Sequence, residues 1–119
     1  MSREPKKQLT HFNKLTPAEA ERLALLLEEL GEAQQVIGKI LRHGYETRNP
    51  FDPRDTNRML LETELGDVTA AIALMEQAED VNPNAVHEAR LSKLGGVGRW
   101  MHRQPAKLLR DAIGEVADV

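Results

Sequence analysis

The chain has no cysteine. That excludes disulfides and thiolate-held metals, so a metal would have to be bound by oxygen or by one of the four histidines. Aromatic residues are also scarce: Phe12, Tyr45, Phe51 and Trp100 make up 3% of the chain. Leucine, alanine and glutamate are common, a mix that suits helices packed by aliphatic side chains and gives little support to strands. No apolar run approaches the roughly 20 residues that span a bilayer. The N-terminal stretch from Met1 to Leu9 lacks the apolar segment of a signal peptide. A cytoplasmic location is the expectation. An excess of basic residues is missing too, since the net charge is −3. The field that carries non-specific nucleic-acid binding is therefore absent, and neither nucleic acid nor membrane is expected as a partner.

With 119 residues there is room for one domain with one modest core. Residues 1–15 show no periodicity and read as a flexible arm. Residues 16–104 read as a helical domain, and 105–119 as a C-terminal amphipathic helix or tail. Thr16-Pro17-Ala18-Glu19 forms a capping box with proline at the first helical position. It predicts a helix over 17–43, ended by Gly44, with an apolar stripe of Leu23, Leu26, Leu27, Leu30, Ala33, Ile37, Ile40 and Leu41. Residues 44–56 contain Asn49-Pro50 and Asp52-Pro53 and read as a loop. Asp55 or Thr56 caps a second helix running to about Glu79, with Leu60, Leu61, Leu65, Val68, Ile72 and Met75 on its apolar side. Asn82-Pro83 starts a third helix that extends toward Met101. Gly95, Gly96 and Gly98 mark a break or a close contact within it. Pro105 opens the last segment. Three to four short-looped helices make an all-α bundle. One this small is expected to complete its core against another copy of itself.

The chemistry lies in two matching tetrads, Glu29-Leu30-Gly31-Glu32 and Glu64-Leu65-Gly66-Asp67, 35 residues apart. The acids at i and i+3 project from one face of each helix. Those faces border apolar residues: Leu25, Leu26, Val36 and Ile40 on the first helix, Leu60, Leu61, Ala71 and Leu74 on the second. Four carboxylates gathered there would repel one another, and their desolvation would cost several kcal/mol per ion. Lys39 and Arg58, the nearest cations by spacing, are too few to neutralise them. A hard divalent cation resolves the conflict, and oxygen-only ligands favour Mg²⁺ or Mn²⁺. The paired glycines imply that the two turns approach closely. Taken singly, i, i+3 acid pairs are commonplace on helix surfaces. The repeat makes these two informative.

The pattern E-x-x-E followed by E-x-x-D resembles the signature of the all-α nucleoside triphosphate pyrophosphohydrolases, in particular their small MazG-like members. The preceding Glu28 fits that family's doubled acid, and Leu26 to Ala33 fits its first helix. The likeness covers about residues 20 to 80. It implies hydrolysis between the α- and β-phosphates of a nucleoside triphosphate, with Glu29, Glu32, Glu64 and Asp67 as Mg²⁺ ligands. It also implies Glu29 or Glu28 as the group that orients or deprotonates water. A homodimer or homotetramer is expected. One departure is the 31 residues between the motifs, longer than usual because of segment 44–56. Base preference is therefore not carried over.

Further candidates are substrate-binding. Lys39 stands two turns beyond Glu32 and is placed to meet a phosphate. Arg42 and His43 are placed likewise, although cations at a helix end also suit its dipole. Asn57 and Arg58 precede the second motif, and Lys93 and Arg99 lie on the third helix. A solvated face explains each of these nearly as well. His11, His87 and His102 have no ligand spacing. Trp100 fits a core or interface anchor better than a base-stacking platform. No phosphate loop, serine elbow or H-E-x-x-H motif is present. Two other readings remain open: a non-catalytic helical oligomerisation or regulatory module, and the same fold acting on another pyrophosphate-containing metabolite.

Overall fold

A computed structural model of the chain describes residues 12–117, with side chains to residue 114. Most of the expected N-terminal arm thus lies outside the described residues. The architecture is mainly helical, as the composition implied. Helix α1 spans Pro17–His43 and starts at the expected capping box. The Glu19 amide donates to Thr16 Oγ1 at 3.1 Å, and the Thr16 amide donates to Glu19 Oε1 at 2.8 Å. The helix stops at Gly44, whose φ of 90° favours a residue without Cβ.

Segment 44–56 is more ordered than the loop expected of it. Strands β1 (Arg48–Asn49) and β2 (Asp52–Thr56) pair antiparallel, with Arg48 opposite Thr56 and Asn49 opposite Asp52. The Phe51 amide donates to Asn49 Oδ1 at 2.9 Å, an Asx turn that closes the hairpin. Thr56 caps helix α2 (Asn57–Gln77) by accepting from the Met59 amide at 3.2 Å. The helix ends two residues before Glu79, which adopts a positive φ of 66°.

Both ends of the α1–α2 pair are tied. At one end Asn57 Nδ2 donates to the Gly44 carbonyl at 3.1 Å, and the Asn57 and Arg58 amides donate to the carbonyls of Thr47 and Tyr45. At the other, Arg22 forms a two-pronged bond to Asp80, at 2.6 and 3.0 Å. The helices therefore run antiparallel.

Within the helix pair the core is thin. Ala33, Val36, Ala71 and Met75 are its buried apolar residues. The apolar stripe expected to form the core of α1 is instead largely open. Leu27 is 74% and Leu41 82% exposed, and Leu23, Leu30 and Ile37 are each above 40%. Of that stripe Ala33 alone is buried, because the seam with α2 lies along Leu25, Glu29, Glu32 and Val36.

The chain divides into two compact units, one ending at Asp80 and one beginning at Val81. The expected boundary at 104/105 falls within the second. That unit contains α3 (Pro83–Gly96), a 3₁₀ turn over Val97–Arg99 and α4 (Ala106–Ala117). Asn82 caps α3 through Oδ1, which accepts from the amides of Asn84 and Ala85. The glycine cluster does break the third helix, at Gly96 and short of Met101. A Cβ at Gly98 would come within 3.3 Å of Leu109 Cδ1, so that glycine permits a close approach to α4. No helix among the described residues is long and apolar enough to cross a membrane.

Candidate metal centre

The four acids of the two tetrads converge. Glu29, Glu32, Glu64 and Asp67 each present a carboxylate oxygen, and those oxygens all lie within 4.8 Å of one another. Glu29, Glu32 and Glu64 are half-buried, while Asp67 is exposed at the rim. The arrangement follows from register. Leu25, Glu29, Glu32 and Val36 on α1 correspond, each 35 residues on, to Leu60, Glu64, Asp67 and Ala71 on α2. Because the helices are antiparallel, the repeat brings Glu29 against Asp67 and Glu32 against Glu64. The four acids are thus related by an approximate local twofold axis.

Electrostatically the cluster is uncompensated. None of the four carboxylates has an ion pair among the described residues. Glu29 Oε2 and Glu64 Oε2 are shielded from water and have no hydrogen-bond partner. Shielding pushes the Glu29 carboxyl above its ordinary range, and the charges of Glu32, Asp67 and Glu28 push in the same direction. Glu64 is raised too, first by shielding, then by its contact with Glu32 and by the remaining acids. Buried polar atoms are normally satisfied, and leaving one unpaired costs about 1–3 kcal/mol, more when it is charged. A hard divalent cation fits this donor set. It would supply partners for both orphaned oxygens and offset the mutual repulsion.

One expectation fails here. A Cβ built on Gly31 or Gly66 meets nothing within 4 Å, so the glycines do not mark a close approach of the two helices. Gly31 stands one residue before Glu32, about 100° round the helix from the seam. The seam is closed by Ala33, Val36, Ala71 and Met75 instead.

A second polar feature lies at the hairpin end of the pair, a cavity of about 280 Å³. Lys39, Arg42 and His43 line it from the end of α1, Asn57 from the start of α2, and Thr47 to Pro50 from the hairpin. Of the expected substrate-binding residues, Lys39, Arg42 and Asn57 are brought together here. Asn57 is 5% exposed and its amide is committed to Gly44, which makes it a strut of the wall. Arg58 is not among the lining residues. It bonds to Glu46 at 2.6 Å and lies 4.2 Å over the Tyr45 ring. Lys93 belongs to the second unit, where it shares a surface hollow with Arg99 and Trp100. Glu28 is exposed on the outer side of α1 and is not one of the four converging acids.

Thr47, Arg48 and Asn49 join the cavity lining from segment 44–56, which the sequence marks as a whole without singling out these residues. Their signal was the Asn49-Pro50 turn, which folds the preceding residues back beside the end of α1. Compared with protein-family models, with curated proteins and with solved structures, the chain matches none.

Proposed function

We propose that the chain is a Mg²⁺-dependent nucleoside triphosphate pyrophosphohydrolase, cleaving its substrate to the monophosphate and pyrophosphate. The observation that carries this reading is the convergence of four uncompensated carboxylates, two with a shielded and unpartnered oxygen, on one helix seam. The likeness of the two tetrads to the pyrophosphohydrolase signature supports it.

Glu29, Glu32, Glu64 and Asp67 would hold the metal, with Mn²⁺ as the alternative ion. A metal held by these residues would supply charge neutralisation at the phosphate oxygens. The chain itself supplies the base. The carboxylate of Glu29, rather than that of the outward-facing Glu28, orients a water molecule and accepts its proton. The water oxygen forms a bond to the α-phosphorus, and the bond from that phosphorus to the α,β-bridging oxygen breaks. The bridging oxygen leaves with the pyrophosphate.

The proposal includes a homodimer or a dimer of dimers. The exposed leucines of α1 form an apolar face that a second copy of the same helix can cover. Sedimentation at micromolar concentration should give twice or four times the chain mass, and a chain that stays monomeric would refute this part.

The activity test is a panel of ordinary and modified nucleoside triphosphates with Mg²⁺, read by pyrophosphate release. Glu32→Gln and Asp67→Asn should each lower turnover about 100-fold or more, given the several kcal/mol that such a metal contributes to a transition state. Helix content should be unchanged. Wild-type turnover in either variant would remove that residue from the site. No turnover of any nucleotide would leave the non-catalytic module as the better reading.

A further inference from the structure

The hairpin-end cavity concentrates positive charge beside an acidic site. Lys39, Arg42 and Arg48 contribute three permanent cations to its lining. Of the hairpin's acids, Glu46 is paired with Arg58 and Asp52 with Arg54 at 2.7 Å, and Asp55 pairs with none of the cavity's cations. Arg48 donates to the carbonyls of Pro53 and Arg54, neutral acceptors that leave its charge uncancelled. Among the described residues no carboxylate pairs with Lys39, Arg42 or Arg48. Such a cavity is complementary to an anion.

Its position relative to the acids is set by helix geometry. Lys39 follows Glu32 by seven residues, and Asn57 precedes Glu64 by seven. Seven residues are nearly two turns, so the cavity and the acids lie on the same side of the pair, about 10 Å apart along the axis. The Arg42 guanidinium folds back over the preceding turn, with NH1 3.6 Å from where a Cβ of Gly38 would stand.

The other end of the pair offers no equivalent. Under the 35-residue correspondence Lys39 maps to Leu74 and Arg42 to Gln77, while Asn57 maps back to Arg22. Arg22 is paired with Asp80. The local twofold of the acids is therefore broken by charge, and in one direction only.

Resting on the pyrophosphohydrolase reading, we infer that the hairpin-end cavity receives the β,γ-pyrophosphate of the substrate, so that the nucleoside extends toward the Arg22–Asp80 end. Size agrees with this. At about 280 Å³ the cavity falls just short of the roughly 300–1,000 Å³ that encloses a drug-sized ligand, and His43 is the one aromatic ring in its lining. Three cations match the charge of a pyrophosphate group, and long basic side chains meet phosphate oxygens through charge-assisted hydrogen bonds.

The test uses the full chain and inorganic pyrophosphate, in EDTA so that binding through a metal is excluded. Pyrophosphate should bind, and should shift backbone amide resonances between residues 39 and 57. The double variant Lys39→Ala/Arg42→Ala should weaken binding tenfold or more. Arg48 is left intact because it also braces the hairpin. Glu32→Gln should retain pyrophosphate binding while losing turnover. With Mg²⁺ present, the double variant should raise KM for a nucleoside triphosphate by more than it lowers kcat. Pyrophosphate binding without any nucleotide turnover would support the cavity assignment and sink the hydrolase reading. Turnover accompanied by undiminished pyrophosphate binding in the double variant, or by resonance shifts confined to the Arg22–Asp80 end, would overturn the inference.

Discussion

Glu29 and Glu64 reach into the α1–α2 seam from opposite sides, and each keeps one carboxylate oxygen, Oε2, shielded and without a partner. The relation has a sign that can be measured. Both carboxyls are raised above the ordinary value of 4.5, so the folded chain binds these protons more tightly than the unfolded chain does. Their contribution to stability is fully present below about pH 4.5 and is lost as the pH rises through the raised values. In EDTA the melting temperature should therefore carry a component that increases as the pH is lowered from neutral. Mg²⁺ binds the ionised form and should stabilise the chain at neutral pH, with the effect fading on acidification. Melting curves across this range, with and without Mg²⁺, check both trends. A Mg²⁺ effect that grows on acidification would contradict the assignment.

The bond from Arg22 to Asp80 is two-pronged and mostly shielded, with side chains 18% and 14% exposed. Asp80→Asn keeps the size and removes the charge. Hydrogen bonds to charged groups contribute about 1.5–3 kcal/mol, and a loss of that order should appear in urea denaturation. A variant as stable as the wild type would show that this tie adds nothing to the stability of the pair.

Gly31 and Gly66 lie inside helices, with open space where a Cβ would go. Alanine at either position should stabilise the chain by about 0.5–1 kcal/mol, the usual gain on replacing a mid-helix glycine. Thermal denaturation of the two single variants tests this. A marked loss would mean that something outside the described chain fills that space.

Leu27 and Leu41 are too exposed to contribute much to the core of a single chain. Lysine at both positions should leave helix content unchanged and shift sedimentation from an assembly to the monomer. An assembly of unchanged mass would place the contact between copies elsewhere.

Much of this organisation was legible in advance, for local reasons. Thr16, Pro17 and Glu19 specify a helix start through their own hydrogen bonds, and Gly44 specifies its stop. The acid spacing fixes a shared face whatever surrounds it. The apolar stripe misled because periodicity reports a face without saying whether anything covers it. Here the buried face is centred on Ala33 and Val36, one step round from Leu27, Leu30 and Leu41. The hairpin was hidden because Asp52-Pro53-Arg54-Asp55 has neither alternation nor β-branched residues. It is held by an Asx turn and by the bonds of Arg48 and Asn57, which depend on partners distant in sequence. The cationic cavity was missed with it, since half of its wall is that hairpin.

The division at Asp80 and Val81 also predicts two regimes of mutational constraint. All four clustered acids, both ties of the helix pair and the whole cationic cavity fall before it. Residues after it supply none of these groups, so a requirement for the carboxylates or the cavity does not act on them directly. A deep mutational scan selected for the chemistry should show tolerance stepping up at residue 81.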